Sequence, residues 1–122
     1  MRFFRCNHHA VIQACISTSG KAPSDTPKEE LIANTVDAAR EKHVPVIARE
    51  GNTVTVTVGS VLHPMTEEHY IPFIALETAQ GLQVKNLKPG MKPVAVFALA
   101  NGDEPIAAYE YCNLHGLWKA EV

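Results

Sequence analysis

Residues 53–58 read Thr-Val-Thr-Val-Thr-Val, a strict period of two. A helix would spread those valines around its circumference, whereas a strand puts Val54, Val56 and Val58 on one buried face. Apolar runs of similar length follow, each bounded by turn residues. Val44–Ala48 leads into Glu50-Gly51-Asn52, and Tyr70–Thr78 into Ala79-Gln80-Gly81. Leu82–Leu87 ends at Lys88-Pro89-Gly90, and Val94–Ala100 joins Pro105–Tyr111 through Asn101-Gly102-Asp103, a hairpin signal. Pro72 predicts an edge strand or a bulge in its segment. Six or seven short strands at this spacing predict an all-β, antiparallel sandwich.

The chain divides near residue 34. Residues 1–30 are short on periodicity, and Ser17–Glu30, rich in Ser, Thr, Pro and Lys, reads as loop. Residues 1–33 are expected to form a small appendage and residues 34–122 the sandwich domain. Thr35 is expected to cap a short helical turn through Val36–Arg40, which Pro45 limits by forcing the residue before it into extended geometry.

With 11 Lys+Arg against 13 Asp+Glu, the formal charge of -2 provides no overall field for nucleic acid or an anionic membrane. No apolar run approaches the roughly 20 residues of a membrane span. Asn7, His8 and His9 interrupt the apolar start, against a secretory signal. Three irregularly spaced cysteines argue against a disulfide framework and for a reducing cytoplasm.

Four of the six histidines and one of the three cysteines fall after residue 40, in turns or at strand ends. His43 follows the helical turn, His63 and His69 flank a five-residue loop, and Cys112 and His115 frame Asn113-Leu114. A sandwich gathers its loops at its ends, so such residues can converge. Alone, each is an ordinary buried thiol or surface imidazole. Cys-x-x-His after a strand is a moderate metal signal, and all five together predict a metal site. Structural zinc takes four ligands, one fewer than this set offers. Iron that prefers six ligands would keep one position for a substrate. Copper competes, since an upstream His with a late Cys-x-x-His also describes a blue-copper site. Such sites usually add an axial methionine, but here the last methionine is Met91, and His63 and His69 would be left without a role.

Three stretches carry a resemblance: Thr35–Val46 with its Glu41-Lys42-His43, Val58–Met65 continuing through Glu68-His69-Tyr70-Ile71, and Glu110-Tyr111-Cys112-Asn113-Leu114-His115-Gly116-Leu117-Trp118. Over about residues 34–122 the chain resembles the superoxide reductases, the desulfoferrodoxin and neelaredoxin group. The resemblance implies an immunoglobulin-like sandwich and one mononuclear iron per chain, with His43, His63, His69 and His115 equatorial and Cys112 axial. It implies one-electron reduction of superoxide to hydrogen peroxide, a rubredoxin-like donor, and a homodimer or homotetramer. It also gives Lys42 the role of attracting superoxide and Glu41 that of reaching the oxidised iron. Trp118 and Tyr111 read as core packing.

The first 33 residues depart from the pattern. Desulfoferrodoxins carry there a second iron on Cys-x-x-Cys and Cys-Cys. Here Cys6 matches the first position, His9 stands at the second, Pro23 and Ser24 replace the adjacent pair, and Cys15 lies off the pattern. Cys6, His9 and Cys15 are three zinc-type donors without a fourth. The segment is expected to be a degenerate remnant that has lost its iron.

Overall fold

A computed structural model describes residues 1–6, 12–15 and 28–122. Two compact units make up the chain, Met1–Ile32 and Ala33–Val122. In the first, β1 (Arg2–Cys6) lies between β2 (Ile12–Cys15) and β3 (Lys28–Leu31), antiparallel to both. Phe3 and Cys6 are buried. Opposite charges face each other across β1 and β3: Arg2 donates to both carboxylate oxygens of Glu30 at 2.8 and 3.0 Å, and Arg5 pairs with Glu29 at 2.6 Å. These strands were not expected from the sequence. Their pairing carries cross-strand charge complementarity rather than apolar alternation, so the period-two signal is weak. His9, Pro23 and Ser24, and the Cys15 side chain, lie outside the described residues.

The second unit is the expected antiparallel sandwich. After a four-residue helix, α1 (Arg40–His43), come β4 (Pro45–Glu50), β5 (Thr53–Val58), β6 (Phe73–Thr78), β7 (Gly81–Asn86), β8 (Val94–Ala98), β9 (Pro105–Cys112) and β10 (Gly116–Glu121). One sheet has the order β4-β5-β8 and the other β10-β9-β6-β7. The chain changes sheet between β5 and β6, β7 and β8, and β8 and β9, a Greek-key connection of the immunoglobulin-like kind. Val54, Val56 and Val58 are fully buried, as their alternation requires, and pack with Ile71, Ile74, Leu76, Phe97 and Cys112.

Three local expectations need correction. The helix starts at Arg40, not at Thr35, and Ala39 occupies its N-cap without a side-chain bond, so His43 is the last residue of the helix. Pro72 does not mark an edge strand: it precedes β6, which is central, and its carbonyl accepts the Leu87 N–H at 2.8 Å, although the register of that segment against β9 does shift at Glu77/Thr78. Strand β10 was unforeseen because Leu117 and Trp118 are buried in succession, which breaks the period-two pattern.

The free edge of β10 is blocked by a single side chain. Asn34 Oδ1 accepts the Lys119 N–H at 2.9 Å, and its Nδ2 donates to the Lys119 carbonyl at 3.0 Å. Its backbone N–H also donates to the Leu117 carbonyl at 3.0 Å. The left-handed backbone this requires (φ 63°) is one that Asn tolerates. A docked side chain of this kind protects an edge from pairing with another chain.

Gly59 sets how closely the loop after β5 approaches α1. A Cβ there would stand 2.6 Å from the Glu41 carbonyl oxygen and 3.1 Å from that of Val44. The approach lets Val61 N–H donate to the Glu41 carbonyl at 2.9 Å. Gly59→Ala is therefore expected to cost about 1–3 kcal/mol, the usual range for an overpacked site, because the clash is with backbone that cannot rotate away. Urea unfolding at fixed pH measures this; an unchanged midpoint would show that the close approach is not needed.

Candidate metal centre

The strand register brings the expected ligands to one end of the sandwich. Pro45 pairs with Val58 across β4 and β5, Phe73 with Tyr111 across β6 and β9, and Cys112 with Gly116 across β9 and β10. The start of β4, the end of β5, the start of β6 and the β9–β10 turn thus lie at the same end. From there α1 presents His43, the connection from β5 to β6 carries His63 and His69, and the β9–β10 hairpin carries Cys112 and His115.

The four imidazoles stand in a square. Ring centroids are 4.8 Å apart for His43–His63, 4.5 Å for His63–His69, 5.1 Å for His69–His115 and 4.9 Å for His43–His115. The cross distance from His43 to His69 is longer, 6.4 Å, as a diagonal must be. Each ring meets its neighbours nearly edge-on. Donor atoms of His43, His69, Cys112 and His115 all lie within 4.8 Å of one another. His63 completes the square of rings.

Outer hydrogen bonds aim the inner nitrogens. His43 Nδ1 lies 2.7 Å from the Ala39 carbonyl, and His63 Nδ1 2.7 Å from the Pro64 carbonyl. Each carbonyl can only accept, so Nδ1 holds the proton and Nε2 is left with its lone pair. His43 Nε2 lies 3.1 Å from His115 Nδ1, which in turn is 3.7 Å from Cys112 Sγ. The Nε2 atoms of His63 and His69 are buried without a hydrogen-bond partner among the described residues. Unsatisfied buried nitrogens cost on the order of 1–3 kcal/mol each. A cation among them would use those lone pairs, so the donor set fits a transition metal that accepts imidazole and thiolate. The sulfurs of Met65 and Met91 accept the backbone N–H groups of Ile71 and Lys88 at 3.4 and 3.3 Å.

Burial lowers the basicity of His43, His63 and His69, and takes His63 down to about 4. These rings are therefore neutral, the form that ligates. Burial raises the Cys112 thiol; N–H bonds from Leu114 and His115 oppose this, and Glu110 adds to it. Glu110 is fully buried two residues before Cys112, with neither carboxyl oxygen partnered among the described residues, and burial pushes its carboxyl well above the ordinary carboxylate range.

Lys42 and Glu41 are exposed on α1. The Lys42 charge lowers both His43 and His69, and Glu41 raises His43, so both charges act on the cluster. Trp118 is buried as expected, but it also serves the site. Its ring lies 4.9 Å from that of His43, and its Nε1 donates to the His115 carbonyl at 3.1 Å. Tyr111 is half-buried and stacked on Phe73. Sequence reasoning missed Gly59 and Asn113, neither an imidazole nor a thiol, whose part is to hold backbone. In β1, Cys6 is a buried free thiol.

The depressed basicity of His63 has a consequence for the metal-free protein. Below the ordinary value of 6.5 the unfolded chain takes a proton that folded His63 refuses until about 4. Stability is thus full above 6.5 and falls as pH drops toward 4, by about 3 kcal/mol from this residue. Urea unfolding of metal-free wild type and His63→Leu across that range should show the steeper loss in wild type. Parallel curves would remove His63 as the cause.

Comparison with known proteins places this arrangement. A family model described as Desulfoferrodoxin matches residues 35–121. A desulfoferrodoxin of Clostridium acetobutylicum is 49% identical over 79% of this chain and 74% of its own length. A superoxide reductase of Pyrococcus horikoshii is 39% identical over 67% of this chain and 86% of its own. The crystal structure of the superoxide reductase from Treponema pallidum superposes with a TM-score of 0.80 at 38% identity, over 98% of each chain. The chain belongs to the desulfoferrodoxin family.

Proposed function

We propose that this chain is a superoxide reductase, an oxidoreductase that converts superoxide, one electron and two protons into hydrogen peroxide. The observation that carries the reading is the square of four imidazoles beside a buried thiol, with the Nε2 atoms of His63 and His69 lacking a hydrogen-bond partner among the described residues. His43, His63, His69, His115 and Cys112 are assigned as the ligands of one mononuclear iron per chain, His63 being the fifth donor. Iron held there would supply the electron, and the Cys112 thiolate would favour its donation.

The chain's own residues do the rest. Neutral imidazoles leave the site with one ligand charge, so it still attracts an anion. Lys42, a flexible point charge one residue from His43, draws superoxide in and stabilises the peroxide charge as it develops. Glu41, exposed on α1 two residues before His43, would offer its carboxylate to the oxidised metal in the resting state. Water at the exposed rim supplies the protons. The reaction consumes an electron per turnover, so a donor is required, and the family makes it a rubredoxin-like protein. A cytoplasmic homodimer or homotetramer fits a domain this small, which gains buried area by association.

A reductase and a dismutase both remove superoxide, and they differ in where the electron originates. With a steady superoxide source and a donor, the protein should take one external electron and yield one peroxide per superoxide. It should release no dioxygen and stop when the donor is withheld. Continued turnover without donor, with dioxygen rising in step with peroxide, would make it a dismutase.

The two charged residues are separable by kinetics. Lys42→Ala is expected to slow the bimolecular encounter about tenfold and to flatten its dependence on ionic strength, because local steering is lost. Glu41→Ala should leave that rate nearly unchanged and alter the absorption spectrum of the resting oxidised protein. The opposite pattern would exchange the two roles.

A further inference from the structure

We infer that Asn113 is a positioning residue for the metal centre: its side-chain amide clips the backbone on both sides of His69 and ties that ligand to the turn carrying Cys112 and His115. The inference deepens the metal-centre reading above and rests on it. Asn113 Oδ1 accepts the Tyr70 N–H at 3.0 Å, and Asn113 Nδ2 donates to the Glu68 carbonyl at 3.0 Å. Its backbone N–H donates to the Tyr70 carbonyl at 3.2 Å. A primary amide offers an acceptor and a donor in one plane, the same pair a neighbouring strand would offer. The orientation is fixed by its partners, since Tyr70 N–H can only donate and the Glu68 carbonyl can only accept. A turned amide would lose both bonds.

His69 needs such a tie. Its own turn is closed by Thr66 N–H donating to the His69 carbonyl at 3.0 Å and His69 N–H to the Thr66 carbonyl at 3.3 Å. Strand pairing begins at Phe73, with the Leu87 N–H on the Pro72 carbonyl just before it. Nearby anchors grip other points: Gly90 N–H donates to the Met65 carbonyl at 2.8 Å, and Ile71 N–H to Met65 Sδ. The clip by Asn113 is what sets His69 at 5.1 Å, ring to ring, from His115. Sequence places Asn113 immediately after one ligand, so its peptide bonds and its amide link the two ligand loops directly.

Cobalt(II) titrated into the metal-free chain tests this, with the cobalt–thiolate band reporting Cys112 and chelator competition giving the affinity. Wild-type uptake tests the metal centre itself, and the difference between variants tests Asn113. Asn113→Ala and Asn113→Asp should both bind cobalt about 10- to 100-fold more weakly, the usual effect of removing an outer-shell partner, while keeping the thiolate band. Asn113→Asp matters most, because it keeps size and the acceptor but cannot donate to the Glu68 carbonyl. In a His69→Ala background the same substitutions should add little. A general packing role would instead weaken binding equally in both backgrounds. That additivity, or Asn113→Asp binding like wild type, would overturn the inference. If Asn113→Ala does not fold, the Asp variant carries the same comparison.

Discussion

Four imidazole rings and a buried thiol held around one point are the arrangement on which the rest of this protein depends. Without a cation it is unfavourable. Two ring nitrogens lack partners among the described residues, burial pushes the thiol away from its anionic form, and a buried carboxyl pushed well above the ordinary carboxylate range lies two residues before it. A bound metal turns those liabilities into bonds, since lone pairs and a thiolate are what it requires. The chain therefore has to supply enough packing elsewhere to hold an unfavourable cluster in place until the ion arrives.

That packing comes from the sandwich. Val54, Val56, Val58, Ile74, Leu76 and Phe97 lie at or near zero exposure between the two sheets. Such burial is worth about 1.5–3 kcal/mol for each large side chain, enough collectively to carry a few unsatisfied nitrogens at one end. The cluster sits where strands of both sheets begin or end, so each ligand loop leaves a rigid element within a few residues. Small polar devices then fix what the sheets do not. Carbonyls of Ala39 and Pro64 set the ring tautomers, Gly59 admits the close approach of one loop to α1, and Trp118 backs His43. Asparagine is used twice as a substitute strand, at Asn34 on the β10 edge and at Asn113 beside His69.

The reaction proposed for the site follows from an asymmetry in this construction. His43, His63 and Cys112 are buried, whereas the helix that carries His43 leaves Lys42 and Glu41 exposed. In the proposed function a metal held by the cluster would have the buried thiol as its electron-donating ligand, and the exposed Lys42 would favour a small anion nearby.

The β class was legible because Thr53–Val58 and its neighbours alternate with period two, and period is a local property of the chain. The five donor residues were legible because His and Cys have few other reasons to gather in turns, and because the motifs around them are long. What failed were features set by partners distant in sequence. Strands β1 and β3 are joined by cross-strand charge pairs, β10 buries two successive residues, and the helix begins where Ala39 turns rather than at a capping Thr. Sequence by itself determined which atoms can bind a metal and which residues alternate. Only the tertiary structure decided that the four rings form a square, that His63 and His69 point unpartnered nitrogens into it, and that Asn113 holds one ligand loop against another. Those relations join residues as far as 72 positions apart, as between His43 and His115. No local rule of propensity or periodicity acts over that separation; the register of two sheets does.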